Sequence, residues 1–127
     1  MAFKEMDIHE LQFNPFDKIS RQWMLVTAGD RMKSNTMTAS WGGVGIMWGK
    51  PVVTAYIRPQ RYTKEFVDGS DRFTISFLPE DKREALNICG SVSGRDVENK
   101  WEKAGLHPYF VNEKTLEETR AVEEAEM

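Results

Sequence analysis

Apolar and polar positions alternate most clearly in two places along this chain. In Phe73–Leu78, Phe73, Ile75 and Phe77 share one face, and Thr74 and Ser76 share the other. In Thr36–Trp41, Met37, Ala39 and Trp41 face away from Thr36, Thr38 and Ser40. A period of two marks a strand. Trp23–Ala28 and Val52–Ile57 are rich in β-branched, aromatic and aliphatic residues and also read as strands. Gly29 and Asp30 mark a turn after the first of the four, and Gly42, Gly43, Gly45 and Gly49 punctuate a stretch that reads as flexible.

Three short helices are predicted between and after these strands. Thr63 is placed to cap Lys64–Asp68, with Tyr62 and Val67 spaced as a hydrophobic staple. Glu80–Cys89 follows Pro79, carries acids in its first turn and is predicted to stop at Gly90. The third runs from about Gly94 to Ala104, with Ser93 and Asp96 at capping-box spacing and Gly105 as its stop. Consecutive strands without regularly alternating long helices argue against a Rossmann sheet. Gly43–Trp48 begins like a dinucleotide-binding glycine motif but ends in Trp, with no helix signal behind it.

With 127 residues, no internal repeat and no low-complexity linker, residues 1–127 read as one domain. The net charge of -3 is concentrated at the end, where Glu113–Met127 sets six Glu against Lys114 and Arg120. The nearly neutral remainder lacks the basic footprint of a nucleic-acid binder. The single cysteine, Cys89, excludes an intramolecular disulfide and suits a reducing compartment. No signal segment and no membrane-length apolar run is visible, so the expectation is a cytoplasmic protein with no membrane association. His9, His107 and Cys89 have no metal-ligand spacing.

The chemistry lies in three motifs. Tyr56–Thr63 brings Arg58, Arg61 and Thr63 to one turn. Guanidinium groups fork onto phosphate oxygens, and the amides of a helix capped by Thr63 would favour an anion at the same place. Asn35–Trp41 offers an amide, hydroxyls and strand backbone to a flat polar ligand, with the small Ala39 allowing close approach. Cys89–Asp96 carries Gly90 and Gly94, which permit close backbone approach. Ser93 also has a structural alternative as a helix cap, and Cys89 one as a small core residue. Trp41 and Trp48 could flank a flat ligand, but packing is expected for both.

Asn35–Gly43, Tyr56–Thr63 and Cys89–Asp96 together resemble the flavin reductase-like family of FMN-binding split barrels, which includes flavoredoxins. The resemblance runs from about Phe3 to Leu106. It implies a mainly β fold with short helices, a split β-barrel, bound FMN and a homodimer with flavin near the subunit interface. It implies cofactor contacts at Asn35, Thr36, Met37, Thr38, Ala39, Ser40, Arg58, Arg61, Thr63, Cys89, Gly90 and Ser93. The implied activity is hydride transfer from NADPH or NADH, bound transiently, to flavin and on to an acceptor, with no catalytic side chain assigned. Two alternatives stand beside it: a flavoredoxin-type FMN carrier reduced by a protein partner, and a cofactor-free dimerising barrel module. In the family the barrel continues past the Glu-rich segment Thr115–Met127, where this sequence stops. The expectation is therefore either a shortened barrel or one closed by another route, and in both cases a chain that is not a self-sufficient monomer.

Overall fold

Met24–Gly29 forms β1, and the rest of the chain is arranged to cover it. In the computed structural model, which describes residues 3–30, 32–97, 99–110 and 120–127, Met24 to Ala28 are all buried. β2 (Ser34–Ala39) and β5 (Thr74–Ser76) flank β1 in an antiparallel sheet of order β2-β1-β5. The Gly29-Asp30 turn is where the sequence puts it. The Asp30 carboxylate accepts from the Met32 and Lys33 amides at 2.8 and 3.0 Å. Gly29 has φ 128°, and a Cβ there would lie 2.4 Å from the Lys33 carbonyl.

Alternation along β1 feeds two cores. Leu25 joins Leu78, Leu86, Cys89, Leu106 and Val122. Met24 and Val26 join Ile19, Met37, Ala39 and Phe77 on the other face. The hydroxyl face of β2 is consequently not an open one. Thr36 is fully buried and shares a 2.9 Å hydrogen bond with Thr27, its cross-strand partner. Thr38 Oγ1 donates to the Leu86 carbonyl. Breaking such a buried pair leaves a polar atom unsatisfied, at about 1–3 kcal/mol.

The stretch expected to be flexible is instead a hairpin of β3 (Gly42–Met47) and β4 (Lys50–Ala55). Gly42 sits against its partner strand, with a Cβ position 2.1 Å from the Thr54 carbonyl. Trp48 and Gly49 make the two-residue loop with φ 51° and 72°, the sign that lets a tight turn match strand twist. Glycine lowers strand propensity, which hides β3 from a reading of residue preference. Trp48 is 93% exposed at the hairpin tip and Trp41 is 60% exposed before β3, so neither packs into the core as expected.

The helices form in the expected regions with different ends. A short N-terminal helix, α1 (Pro15–Asp17), begins at an Asn14 cap and widens into a π-helical turn over Lys18–Gln22. α2 (Thr63–Asp68) starts at Thr63, with Tyr62 in the cap position and no side-chain cap bond. The Tyr62 ring meets Phe66 edge-on at 5.1 Å, while Val67 turns to the second core. α3 (Arg83–Ser91) follows a 3-10 turn at Glu80–Lys82 and runs through Gly90 rather than stopping there. α4 is only Lys100–Ala104, capped by Asn99 and ended by Gly105 at φ 72°. Ser93 organises a separate turn, its hydroxyl accepting from the Arg95 amide at 3.1 Å.

The last residues return to the sheet. β6 (Pro108–Phe110) pairs with β7 (Arg120–Val122), and Val122 and Ala125 fill the first core. Phe77 then exchanges backbone hydrogen bonds with Glu126 and Met127 at 2.9 and 2.6 Å. Residues 115–119 of the Glu-rich segment lie outside the described residues. Among the described residues the strands form three separate sheets and no closed barrel. No described helix is long and apolar enough to cross a membrane.

Candidate functional site

Three sequence motifs meet at Asn35. Its register opposite Ala28 buries it in β2, 3% exposed, where an amide needs partners. Asn35 Nδ2 donates to Thr63 Oγ1 at 2.8 Å, tying β2 to the start of α2. Gly94 packs against the other end of the amide, with a Cβ position 2.3 Å from Asn35 Oδ1. A side chain at residue 94 would drive into that oxygen.

Arg61 makes a second bridge beside the first. Its Nη1 donates to the Thr38 carbonyl at 3.4 Å, and its Nη2 to the Cys89 carbonyl at 3.3 Å. Both bonds are long, and they use two of the five donors a guanidinium carries. Burial, and then the neighbouring Arg58 charge, pull the Arg61 pKa below its ordinary value, but arginine stays charged. Arg58 is exposed, and Gln60, with its amide oxygen turned to it, accepts from Nε and Nη2 at 2.9 and 2.7 Å.

A cleft opens on each side of Arg61. The outer one, about 180 Å³, is lined by Met37–Trp41, Tyr56, Arg58 and Arg61. The inner one, about 170 Å³, is lined by Asn35, Met37, Gln60–Thr63, Gly90–Ser93 and Lys100. Asn35, Met37, Thr38, Ala39, Ser40, Arg58, Arg61, Thr63, Gly90 and Ser93 therefore border one cleft or both. Thr36 does not, being sealed against Thr27. Cys89 contributes its carbonyl to Arg61, while its thiol is buried in the first core. That burial pushes the thiol pKa up, against the pull of Lys100 and Arg61. Thr63 is fully buried, and its hydroxyl holds Asn35. The helix amides expected beside it are already taken: Lys64 and Glu65 donate to the Arg61 and Tyr62 carbonyls.

Sequence reasoning missed Lys100. It is 4% exposed, lines the inner cleft, and makes no hydrogen bond or ion pair within the described residues. Among the described residues every fully buried side-chain nitrogen or oxygen has a partner, so the unpartnered Nζ is an atom that keeps some contact with solvent. Burial first, with Arg61 adding to it, lowers its pKa to about 8. Its only sequence signal was a cation next to the apolar Trp101. Two cations thus share a small cleft with no carboxylate among the described residues of its lining. That arrangement is electrostatically suited to an anion.

Two larger grooves lack this chemistry. One, about 970 Å³, runs beside Lys18, Arg21 and Arg83, but Lys18 is paired with Glu126 and Arg21 with Asp17. The other, about 670 Å³, is mainly apolar and lies between the hairpin and Ile8–Ile19. His107, Glu123 and Glu124 come within 4.8 Å of one another at the surface by the β6–β7 pair, and border neither cleft.

The family described as flavin reductase like domain matches residues 16–126. No curated protein matches the sequence. Among solved structures, the FMN-binding domain of a flavin reductases-like enzyme from Shewanella baltica OS155 superposes with a TM-score of 0.72 at 21% identity, covering 87% of this chain and 56% of that one. The flavoredoxin of Methanosarcina acetivorans gives 0.69 at 18% identity, covering 98% and 60%. The flavoredoxin of Desulfovibrio vulgaris (Miyazaki F) gives 0.67 at 24%, covering 97% and 62%. The chain thus shares their fold and spans about three-fifths of their length.

The packing at Asn35 makes a specific prediction. Gly94→Ala forces Asn35 or the 90–96 turn to move and is expected to cost about 1–3 kcal/mol in denaturant unfolding. Gly43→Ala, with nothing within 4 Å of its Cβ position, is expected to stay within about 0.5 kcal/mol. Equal effects at the two glycines would remove the argument for a packed junction.

Proposed function

The chain belongs to the flavin reductase-like domain family, and on that premise we propose that it binds FMN non-covalently across the two clefts and passes electrons from NADPH or NADH to an acceptor. The observation that carries this reading is the inner cleft, with Arg61 and Lys100 and no carboxylate. It suits a phosphomonoester near two negative charges. Neither cleft reaches the ~300 Å³ at which ligand pockets begin, so an elongated ligand lying on both sides of Arg61 fits better than a compact one in either.

The outer cleft suits a flat ring system. Trp41 and Tyr56 expose aromatic surface there, 60% and 62%. β2 is the edge strand of its sheet, so backbone N–H and C=O groups on its outer side can pair with polar ring atoms. Bound FMN would supply the redox chemistry, and the protein position and electrostatics. Hydride transfer needs no protein acid or base, so this reading assigns no catalytic side chain. Cys89 has no redox role in this reading, because its thiol is buried.

The titration that tests it compares FMN with riboflavin, which lacks the phosphate. Tighter binding of FMN is expected. Arg61→Ala should weaken FMN by about one to two orders of magnitude, for a charged hydrogen bond of roughly 1.5–3 kcal/mol, and riboflavin much less. Equal affinities for the two flavins in the unmodified protein would sink the phosphate assignment.

Two of the similar structures are flavoredoxins, which favours a second reading as an FMN carrier reduced by a protein. Anaerobic mixing with NADPH or NADH separates the two. Bleaching of bound flavin within turnover time is expected for the reductase, and none for the carrier.

We also propose that the chain works as a homodimer in a reducing compartment such as the cytoplasm. Val44, Ile46, Met47, Trp48 and Val53 expose apolar surface on one hairpin, an arrangement typical of protein interfaces. Light scattering on the purified chain is expected to give a dimer mass, and a monodisperse monomer with stoichiometric FMN would exclude it.

A further inference from the structure

We propose that the inner cleft takes up a phosphomonoester dianion together with a proton, which is delivered to Lys100 Nζ. The proposal rests on the FMN reading above for the identity of the dianion, but not for the coupling itself. Lys100 stands on α4, 4% exposed, with no hydrogen bond or ion pair to its ammonium among the described residues. An ammonium with little contact with solvent and no counter-charge is costly and tends either to gain an anion or to lose its proton. The charged and titratable groups that act on it are two. The segment before α2 contributes Arg61, a like charge, and α3 contributes the Cys89 thiol. β2 contributes Asn35, which is neutral, and Tyr62 lines the same cleft. No carboxylate of the lining balances the pair.

The charge count closes when a dianion enters, with two negative charges against one guanidinium and one ammonium. The proton comes from solvent and joins the Nζ lone pair, and no other bond forms or breaks. Without the dianion, burial and Arg61 hold the Lys100 pKa at about 8. With it, an opposite charge replaces a like one as the nearest strong field, and the ammonium persists to higher pH.

The sign of the linkage follows. Between the second phosphate ionisation, at about pH 6, and pH 8 the free ligand is mainly the dianion and Lys100 mainly charged, so binding takes up little proton and affinity changes little. Above pH 8 the ligand-free protein has released that proton, and binding must restore it. Affinity then falls by about tenfold per pH unit.

Calorimetric titration of the full chain with FMN, in two buffers of different ionisation heat, counts the protons. Near zero is expected at pH 7 and about 0.9 at pH 9, with about tenfold weaker FMN binding at pH 9. Riboflavin should show neither effect, which separates Lys100 from ionisation of the flavin ring. Lys100→Met should weaken FMN and abolish the proton uptake. The wild-type proton count decides the matter even if that variant fails to fold. FMN binding at pH 9 with no proton uptake overturns the proposal and leaves the FMN reading standing. Proton-coupled binding of inorganic phosphate without FMN binding overturns the FMN reading and upholds the coupling. If neither ligand binds, both fall.

Discussion

The hydrogen bond from Asn35 to Thr63 is the contact on which the site depends. At 2.8 Å, inside the protein, it fixes the start of α2 against the edge strand β2. Arg61 lies two residues before Thr63, so the bond also sets where its guanidinium can reach. The Gly94 backbone closes on the far end of the same amide and brings the segment after α3 into place. A buried amide with one partner missing would cost about 1–3 kcal/mol, a large share of a small domain's stability. The site and the fold therefore share one junction, and a change that loosens it is felt in both.

Electrostatics around that junction run in one direction. Arg61 donates to the Cys89 carbonyl near the C-terminal end of α3, where a helix favours positive charge. Lys100 sits nearby, and among the described residues no carboxylate pairs with it. Some surface carboxylates pair with cations elsewhere, as Glu65 does with Arg95 and Glu126 does with Lys18. Cations left unpaired in a cleft, in a chain whose net charge is negative, are hard to explain by packing alone. They make sense as half of a pair completed by a ligand.

The strands were legible because their signals are local. Met24–Gly29, Ser34–Ala39 and Thr74–Ser76 lie within two residues of where alternation and composition put them. The three motifs were legible for the same reason, and ten of the twelve residues they nominated border the two clefts. What failed was everything set by a distant partner. β3 is a strand because β4 pairs with it, despite three glycines that speak against it. α3 runs through Gly90, whose Cβ position lies 3.3 Å from Thr38 of β2, so the glycine there serves close packing rather than a helix stop. Thr63 reads as a cap until Asn35, 28 residues away in sequence, takes its hydroxyl. Lys100 looks like any surface lysine until the fold buries it.

The exposed hairpin and the outer cleft are one structural problem. Trp41 and Tyr56 lie at the root of β3 and β4, joined by a 3.2 Å hydrogen bond from the Tyr56 amide to the Trp41 carbonyl. Both line the outer cleft. Further along the hairpin, Val44, Ile46 and Trp48 expose apolar surface that the described residues leave uncovered. A hairpin of two strands is marginal alone, and β3 and β4 pair only with each other among the described strands. Whatever covers its apolar length also fixes the angle of its root, and with it the wall formed by Trp41 and Tyr56. In the reading proposed above a second subunit does this, so that assembly and the shape of the ring-binding cleft are set by the same contact. In that reading dimerisation is part of building the site, because the second subunit sets the wall against which a flat ligand rests.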